Sequence, residues 1–192
     1  MSDAAAIGAR IRSLLGDRAP SAGRDVAVLV HSDTVGAGVV EALIRAAAAD
    51  ASLRGLPQRV APLAVPRIDA VGIDLWLAAF AWGAAQVWTL VTHEDEAPVR
   101  EAIALRMRVA EAILASLGLA GEHLRIIGGG EVSRLALDAA PLQAALQRLD
   151  RALQRRPAAT VARVATFTGP RDGRSLLDLA LAHLLANAAA PL

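Results

Sequence analysis

The chain has 192 residues, of which 55% are hydrophobic and 20% are charged, so it can bury a core and does not have the composition of a disordered protein. Its 20 basic and 19 acidic residues leave a formal net charge of +1, without the basic excess that general nucleic-acid binding requires. Cysteine is absent, which excludes disulfides and thiolate ligands for zinc or iron–sulfur clusters within this chain.

The hydrophobic pattern alternates between helical and strand-like segments along the chain. In chain order it predicts a helix over 3–16, a strand over 25–32, a helix over 35–50, a strand over 59–67, a helix over 69–82, a strand over 86–93, a helix over 98–117, a strand over 123–131, a helix over 138–155, a strand or extended connection over 160–168, and a final helix capped by Ser175. Strands separated by helices of this length imply βαβ crossovers. We therefore predict an α/β fold: a three-layer αβα domain with a mostly parallel sheet of four to five strands, flavodoxin- or Rossmann-like.

We expect this single domain to occupy residues 1–188 and a linker to begin at 189–192. Residues 72–91 are long and apolar enough to span a bilayer, but Asp74 would then lie in hydrocarbon. Gly83 also divides the segment into a helix-like half and a β-branched half. A buried helix followed by a buried strand fits better, so we predict no membrane span. With no pattern typical of a signal peptide, the expected location is cytoplasmic.

Local signals refine several elements. Pro62 indicates an edge or irregular strand, Asp69 can cap the following helix, and Gly83 can end it. The helix over 35–50 is expected to bury Val35, Val39, Leu43 and Ala47. The helix over 98–117 is expected to bury Val99, Ile103, Met107, Ala110, Ile113, Leu114 and Leu117. Trp76, Trp82 and Trp88 are close in sequence, and burial in one part of the core is the expected reason.

Two histidines end predicted strands, at the edge where open α/β sheets carry ligands: His31 and His93. With Glu94, Asp95 and Glu96 they could form a metal site of nitrogen and oxygen ligands. The alternative is that the acids cap the next helix and the histidines are solvated or bonded to backbone. We favour that alternative, and we assign no catalytic, cofactor-binding or metal-binding residue.

Two further patterns have ordinary explanations. The stretch GAGVVE, residues 36–41, has the first two glycines of a dinucleotide fingerprint, but Glu41 stands at the third and would repel a pyrophosphate. A flexible helix entrance is the favoured interpretation. A basic stripe, typical of a solvated helix face, could dock an acidic partner in a multidomain protein; it consists of Arg148, Arg151, Arg155 and Arg156.

Residues 59–127 resemble the small iron–sulfur (delta) subunit of methyl-viologen-reducing hydrogenase, the partner of heterodisulfide reductase. That family has a strand, a cysteine-bearing turn, a helix ending in Ala-Phe and Gly-Ala, a second strand, a Cys-His-x-Gly-Asp-Cys-His stretch, a basic helix and Leu-Gly. The matching residues here are Ala79-Phe80, Gly83-Ala84, His93, Arg108-Val109 and Leu117-Gly118.

The cysteines of this family are replaced. Arg67 stands where the family has the cysteine of its first turn, Thr92 and Ala97 stand at the two cysteines of the later motif, and Glu94-Asp95-Glu96 replaces Pro-Gly-Asp. Without thiolates these positions cannot hold a cluster of the family's kind. The family's redox role therefore does not transfer to them.

The whole chain also resembles the middle region of larger bacterial 4Fe–4S ferredoxin proteins, often associated with formate dehydrogenase systems. The resemblance implies a fragment of such a protein and a non-enzymatic scaffold or protein-interaction domain that has lost its cluster ligands. It implies 4Fe–4S clusters only in other parts of the parent protein, and redox proteins or adjacent ferredoxin domains as partners. The alternative is a nucleotide-, flavin- or other small-molecule-binding module at the carboxyl ends of the strands, formed by 31–38, 67–69 and 92–96. The least favoured hypothesis is an enzyme that uses His93.

Overall fold

A parallel four-stranded sheet lies at the centre of the computed structural model. The strands are β1 (Ala27–Ser32), β2 (Val60–Val65), β3 (Gln86–Val91) and β4 (Leu124–Gly128), and the helices are α1 (Val35–Ala49), α2 (Ile73–Ala81), α3 (Ala97–Ser116) and α4 (Leu176–Ala186). The structure describes residues 9–11, 13–15, 26–51, 54–92, 97–119, 121–128, 144, 146–148, 150–151 and 175–188. Residues 9–15 and 144–151 are helical wherever they are described, and the segment 160–168 lies outside the described residues.

The strand order is β2-β1-β3-β4, and every neighbouring pair is parallel. This is the order in which flavodoxin-like sheets begin. The helices pack on both faces of the sheet, so the predicted three-layer α/β fold with a parallel sheet is confirmed. The strand predicted over 123–131 is observed over Leu124–Gly128.

In the described part of the chain β2 pairs only with β1, which agrees with the edge position that Pro62 predicts. The Ala27 N–H donates to the Arg59 carbonyl and the Asp33 N–H donates to the Val65 carbonyl. Backbone polar groups alternate in direction along a strand, so the odd-numbered residues of β2 turn theirs toward β1. The missing N–H of Pro62 therefore lies on the open side, where β1 does not need it.

The sheet buries one core on each face. The first face packs against α2, α3, α4 and the helical residues 9–15; the second packs against α1 and Leu146. The expectation of one tryptophan cluster was wrong: Trp76 and Trp82 belong to the first core, but Trp88 belongs to the second. Successive side chains of a strand point to opposite faces, and Trp88 follows Val87, which faces the first core.

The first half of α1 buries a face that differs by one residue from the predicted one. Gly36 and Val40 are buried there, whereas Val35 and Val39 are only half-buried. Further along, the predicted burial of Leu43 is confirmed, and Ala47 is half-buried. A Cβ atom on Gly36 would lie 2.9 Å from the Ser32 Oγ and 3.0 Å from the His31 Cβ. The helix therefore approaches β1 at its glycine, and this close approach sets the face that α1 buries.

The start of α2 also differs from the prediction. Its N-cap is Gly72, because the Asp69 side chain pairs with Arg67 instead of capping the helix. The predicted end is confirmed, since α2 stops at Ala81 and Gly83 follows with a φ of 96°. α2 is buried almost completely between the sheet and α4. Residues 72–91 thus form a helix and a strand, and none of the described helices is long and apolar enough to cross a bilayer.

The predicted apolar face of α3 is confirmed at its centre. Ile103, Met107, Ala110 and Leu114 are buried, and Leu117 follows the helix into the same core. Ser175 caps α4 as predicted, since its side chain accepts a hydrogen bond from the Asp178 N–H.

Candidate functional site

The carboxyl ends of β1, β2 and β3 bring the candidate residues to one edge of the sheet. β1 lies between β2 and β3 and ends at His31 and Ser32. Arg67 follows β2 on one side and Thr92 follows β3 on the other. Two strand spacings separate those ends, about 10 Å. The loops that carry Arg67 and Thr92 thus share one edge, and β1 ends between them.

The loop after β1 is closed by its own hydrogen bonds. The Ser32 Oγ accepts a bond from the Gly36 N–H at 2.8 Å, and the Asp33 N–H donates to the Val65 carbonyl at 2.8 Å. Only Asp33 and Thr34 separate β1 from α1. In a dinucleotide site, the N–H groups of the first helical turn contact the phosphates. Here one of those groups, on Gly36, is already bonded to Ser32.

His31 is a buried, neutral side chain at the end of β1. It is 5% exposed, and its Nδ1 lies 2.9 Å from the Ser32 carbonyl oxygen, to which the Nδ1–H tautomer donates. Burial lowers the pKa of His31, and Arg10 adds to this, while the Ser32 carbonyl and Asp33 oppose it. The imidazole is therefore uncharged near neutral pH, and its position is fixed by the backbone.

The proposed partners of His31 in a metal site, residues 93–96, lie outside the described residues. Among the residues that are described, no group of three or more histidines, aspartates and glutamates is placed to hold a metal ion.

The loop after β2 is organised around Arg67 and Asp69. The Arg67 Nε donates to the Asp69 Oδ1 at 3.0 Å, and the Arg67 Nη2 bonds to the Asp69 Oδ2. The hydrogen bond and the opposite charge raise the pKa of Arg67, and the hydrogen bond from Arg67 lowers the pKa of Asp69. Both side chains are therefore held in their charged forms, at a position open to solvent.

Arg106 of α3 holds the same loop from the other side. Its Nη1 donates to the Val71 carbonyl at 2.7 Å and its Nη2 to the Asp69 carbonyl at 3.0 Å. The Nε donates to the Ala102 carbonyl of its own helix at 3.2 Å. One guanidinium group thus joins α3 to the backbone of the β2–α2 connection.

The side chains at the three positions that the predicted resemblance aligns with cysteines do not fit an iron–sulfur cluster. Arg67 offers a cationic guanidinium that is engaged by Asp69, and the 4% exposed Thr92 offers a buried hydroxyl. Ala97, at the exposed first residue of α3, offers only a methyl group. None of these groups is an anionic sulfur ligand of the kind that holds such clusters. The carboxyl edge therefore offers no sulfur ligand at Arg67, Thr92 or Ala97.

Glu111 is a structural residue that the sequence reasoning missed. Its Oε1 accepts hydrogen bonds from the His123 N–H at 2.6 Å and the Leu124 N–H at 2.5 Å, which ties α3 to the first residues of β4. The only sequence signal for Glu111 and Arg106 is a charged residue beside the apolar stripe of an amphipathic helix. That signal is weak, because the flanks of such a stripe are normally charged.

The outward face of α3 exposes two large apolar side chains. Leu105 is 55% exposed and Val109 is 46% exposed. Four residues apart, they are neighbours on the helix surface, and the exposed Arg108 lies beside Val109 in sequence. We call Leu105, Arg108 and Val109 the α3 patch.

Comparison with known proteins identifies no family for this chain. No family model matches the sequence, and no curated protein matches it significantly. The resemblance to the hydrogenase delta subunit therefore stays a prediction that rests on the residues of 59–127.

Proposed function

We propose that this chain is a non-catalytic scaffold or interaction domain of a cytoplasmic 4Fe–4S ferredoxin-type electron-transfer protein. Its task is to position cluster-bearing modules or to dock a redox partner, and the clusters belong to other parts of the parent protein. The observation that carries the proposal is the closed carboxyl edge. There, an ion pair with Asp69 engages Arg67, which stands at one of the positions where the resembling family has a thiolate, and hydrogen bonds of Ser32 and Arg106 hold the neighbouring backbone.

The contacts at this edge are structural. Ser32 bonds the first turn of α1, Arg67 pairs with Asp69, and Arg106 holds the loop backbone. The first two contacts fix a loop internally, and the third fixes the β2–α2 loop relative to α3. This pattern favours a rigid domain that presents a surface over one that holds a reactive group.

The α3 patch supports an interaction role. Contiguous exposed apolar side chains mark protein contacts more often than isolated ones do. Leu105 and Val109 are adjacent on the helix, and Arg106, between them in sequence, reaches the β2–α2 loop. A partner that docks on the α3 patch would thus contact the helix that braces the closed edge.

A first experiment measures iron. The chain, expressed with added iron and sulfide and purified without oxygen, should be colourless and should contain no stoichiometric iron or acid-labile sulfide. Bound iron at one or more atoms per chain, with visible absorption, would contradict the proposal.

A second experiment tests the docking role. The tagged chain should recover an iron–sulfur protein from an extract of its native host, detected as iron and labile sulfide in the captured complex. The double variant Leu105→Arg/Val109→Arg should lose that iron. Ile44→Arg is the matched control, because Ile44 is 50% exposed on α1 and lies away from the α3 patch. Equal iron recovery by the double variant and the wild type would count against a partner on α3.

A further inference from the structure

A cleft of about 840 Å³ opens at the opposite, amino-terminal edge of the sheet. One wall is the connection between α1 and β2, residues 54–59, which directly precedes β2. The other wall is the helical segment that contributes Gln147, Asp150 and Arg151. Its volume falls within the range of small-molecule sites, roughly 300–1,000 Å³.

Both walls are anchored on the second core. Leu56 packs against that core, and Leu146 is completely buried in it, next to Gln147. Gly55 has a φ of 65°, and a Cβ there would lie 3.0 Å from the Ala47 Cβ, so this turn packs closely on α1. The Val60 N–H donates to the Pro57 carbonyl at 2.9 Å and closes the turn before β2. The cleft is therefore formed before any ligand enters it.

The lining is strongly cationic. Among the described residues that line it, three arginines, Arg54, Arg59 and Arg151, and one acid, Asp150, carry a formal charge of 3 − 1 = +2, in a chain whose total formal charge is +1. The Arg151 Nε donates to the Gln147 carbonyl at 3.3 Å, which holds the guanidinium against its own helix. Within the described part of the chain, Arg54 has no hydrogen bond or ion pair. The charge of the Arg54 guanidinium is thus available to an anion.

We propose that this cleft binds a phosphate ester of about the size of a nucleotide. A guanidinium group presents paired N–H donors that match phosphate oxygens, and Arg54 and Arg151 offer such donors from opposite walls. Asp150 would repel a bare polyanion, but it can accept hydrogen bonds from the hydroxyl or amino groups of an ester. Gln58 and Gln147 add amide groups beside it. This site is independent of the scaffold role and lies at the other edge of the sheet.

The binding experiment uses ADP, pyrophosphate, adenosine and citrate, with calorimetry and thermal unfolding at low ionic strength. We expect ADP to bind one to one and to raise the Tm most, pyrophosphate to bind more weakly, and adenosine not to bind. The absence of ADP binding, or citrate binding as tight as that of ADP, would overturn the proposal.

Single variants locate the site. Arg54→Gln and Arg151→Gln should each weaken ADP binding by about tenfold, the effect of losing one charge-assisted hydrogen bond. Both side chains are exposed, so the fold should survive, and the Tm without ligand checks this. Arg148→Gln is the matched control, since Arg148 is exposed on the same helical segment but does not line the cleft. Equal loss of affinity in Arg148→Gln would show that binding elsewhere was measured.

The variant Asp150→Asn tests whether Asp150 recognises the hydroxyl or amino groups of the ligand. Removing the negative charge should strengthen pyrophosphate binding, while for ADP this gain is offset, because the neutral amide oxygen of asparagine is a weaker acceptor for the hydroxyl groups than a carboxylate oxygen is. The preference for ADP over pyrophosphate should therefore fall by about tenfold. An unchanged preference would mean that Asp150 does not face the ligand, and the ester specificity proposed here would be wrong.

Discussion

Glu111 joins two elements with a single carboxylate oxygen. That oxygen accepts the backbone N–H groups of His123 and Leu124, the residues at which the chain enters β4. If this acceptor is removed, two backbone N–H groups near the core lose their hydrogen-bond partner. Hydrogen bonds to charged groups contribute about 1.5–3 kcal/mol each, and paired bonds to one oxygen do not add fully.

We predict that Glu111→Ala lowers the free energy of unfolding by about 2–4 kcal/mol, measured by urea denaturation. Glu111→Gln keeps an acceptor oxygen and should lose less. Glu101→Ala, at an exposed position of the same helix, should change stability by less than about 0.5 kcal/mol. If Glu101→Ala and Glu111→Ala were equally stable, the two hydrogen bonds would not hold β4.

Arg106 gives a second prediction at the scale of one residue. Arg106→Ala removes both bonds to the β2–α2 connection and should destabilise the chain by about 1–3 kcal/mol. Amide hydrogen exchange should also become faster at Asp69–Gly72, since their backbone is no longer held. Arg108→Ala is the control, because Arg108 is exposed on the same helix. Faster exchange in both variants would point to general loosening of α3 and against a specific clamp.

At the scale of elements, Pro62 indicates which backbone N–H groups of β2 point toward β1 and which point to the open side. The bonds of Ala27 and Asp33 to β2 imply that the Ala61 N–H faces β1, whereas the N–H of Ala64, like the missing one of Pro62, faces outward. An edge strand tolerates proline only where the N–H points to the open side. Pro62 fulfils that condition, and it also makes the open edge a poorer template for another strand.

The matched substitutions Ala61→Pro and Ala64→Pro test this alternation. Ala61→Pro should lower the free energy of unfolding by about 2–4 kcal/mol, because it removes a hydrogen bond within the sheet and leaves the Ala27 carbonyl without a donor. Ala64→Pro should lower the free energy of unfolding by about 1 kcal/mol or less. Urea denaturation of both variants gives the comparison, and an equal loss in the two would mean that the assigned direction is wrong.

The elements differ in how far sequence could predict them. The apolar stripe of α3 has a clear helical period, and its buried centre was predicted correctly. The face of α1 was predicted correctly at Leu43 but was misplaced by one residue in the first half of the helix, because the contact of Gly36 with His31 and Ser32 is tertiary. Asp69 was wrongly predicted as a cap for the same kind of reason, since Arg67 takes its carboxylate. Local sequence patterns do not indicate which of several possible partners a residue will contact in the folded chain.

At the scale of the whole molecule, the two edges of the sheet differ in chemistry. The carboxyl edge gathers the loops that the sequence singled out, and Ser32, Arg67 and Arg106 bond there to the backbone or to another side chain. The amino edge carries the arginine-lined cleft, which the sequence indicated only through the basic stripe that includes Arg151. Residues 54–59 and Gln147–Arg151 are far apart in sequence, so only the folded sheet brings their charges together.

The buried His31 and the half-buried His183 make the stability of the whole fold depend on pH. Burial is the largest cause of the lowered pKa of His31 and the cause for His183, relative to an ordinary value of 6.5. As the pH falls through 6.5, the unfolded chain binds protons that the folded chain does not bind, so the free energy of unfolding decreases. The decrease should end once the pH is below the pKa values of the folded state.

We therefore predict that the free energy of unfolding, measured by urea denaturation at pH 8, 7, 6 and 5, is constant above about pH 7.5 and falls toward pH 5. His31→Asn keeps a side-chain N–H that can donate to the Ser32 carbonyl but removes the titrating group. Between pH 7 and 5, the free energy of unfolding of this variant should change less with pH than that of the wild type. The double variant His31→Asn/His183→Asn should have a smaller slope still, because protonation of either histidine in the unfolded chain lowers the free energy of unfolding as the pH falls. A wild-type slope in the double variant would assign the pH dependence to other groups, and His31 and His183 would then titrate alike in the folded and unfolded chain.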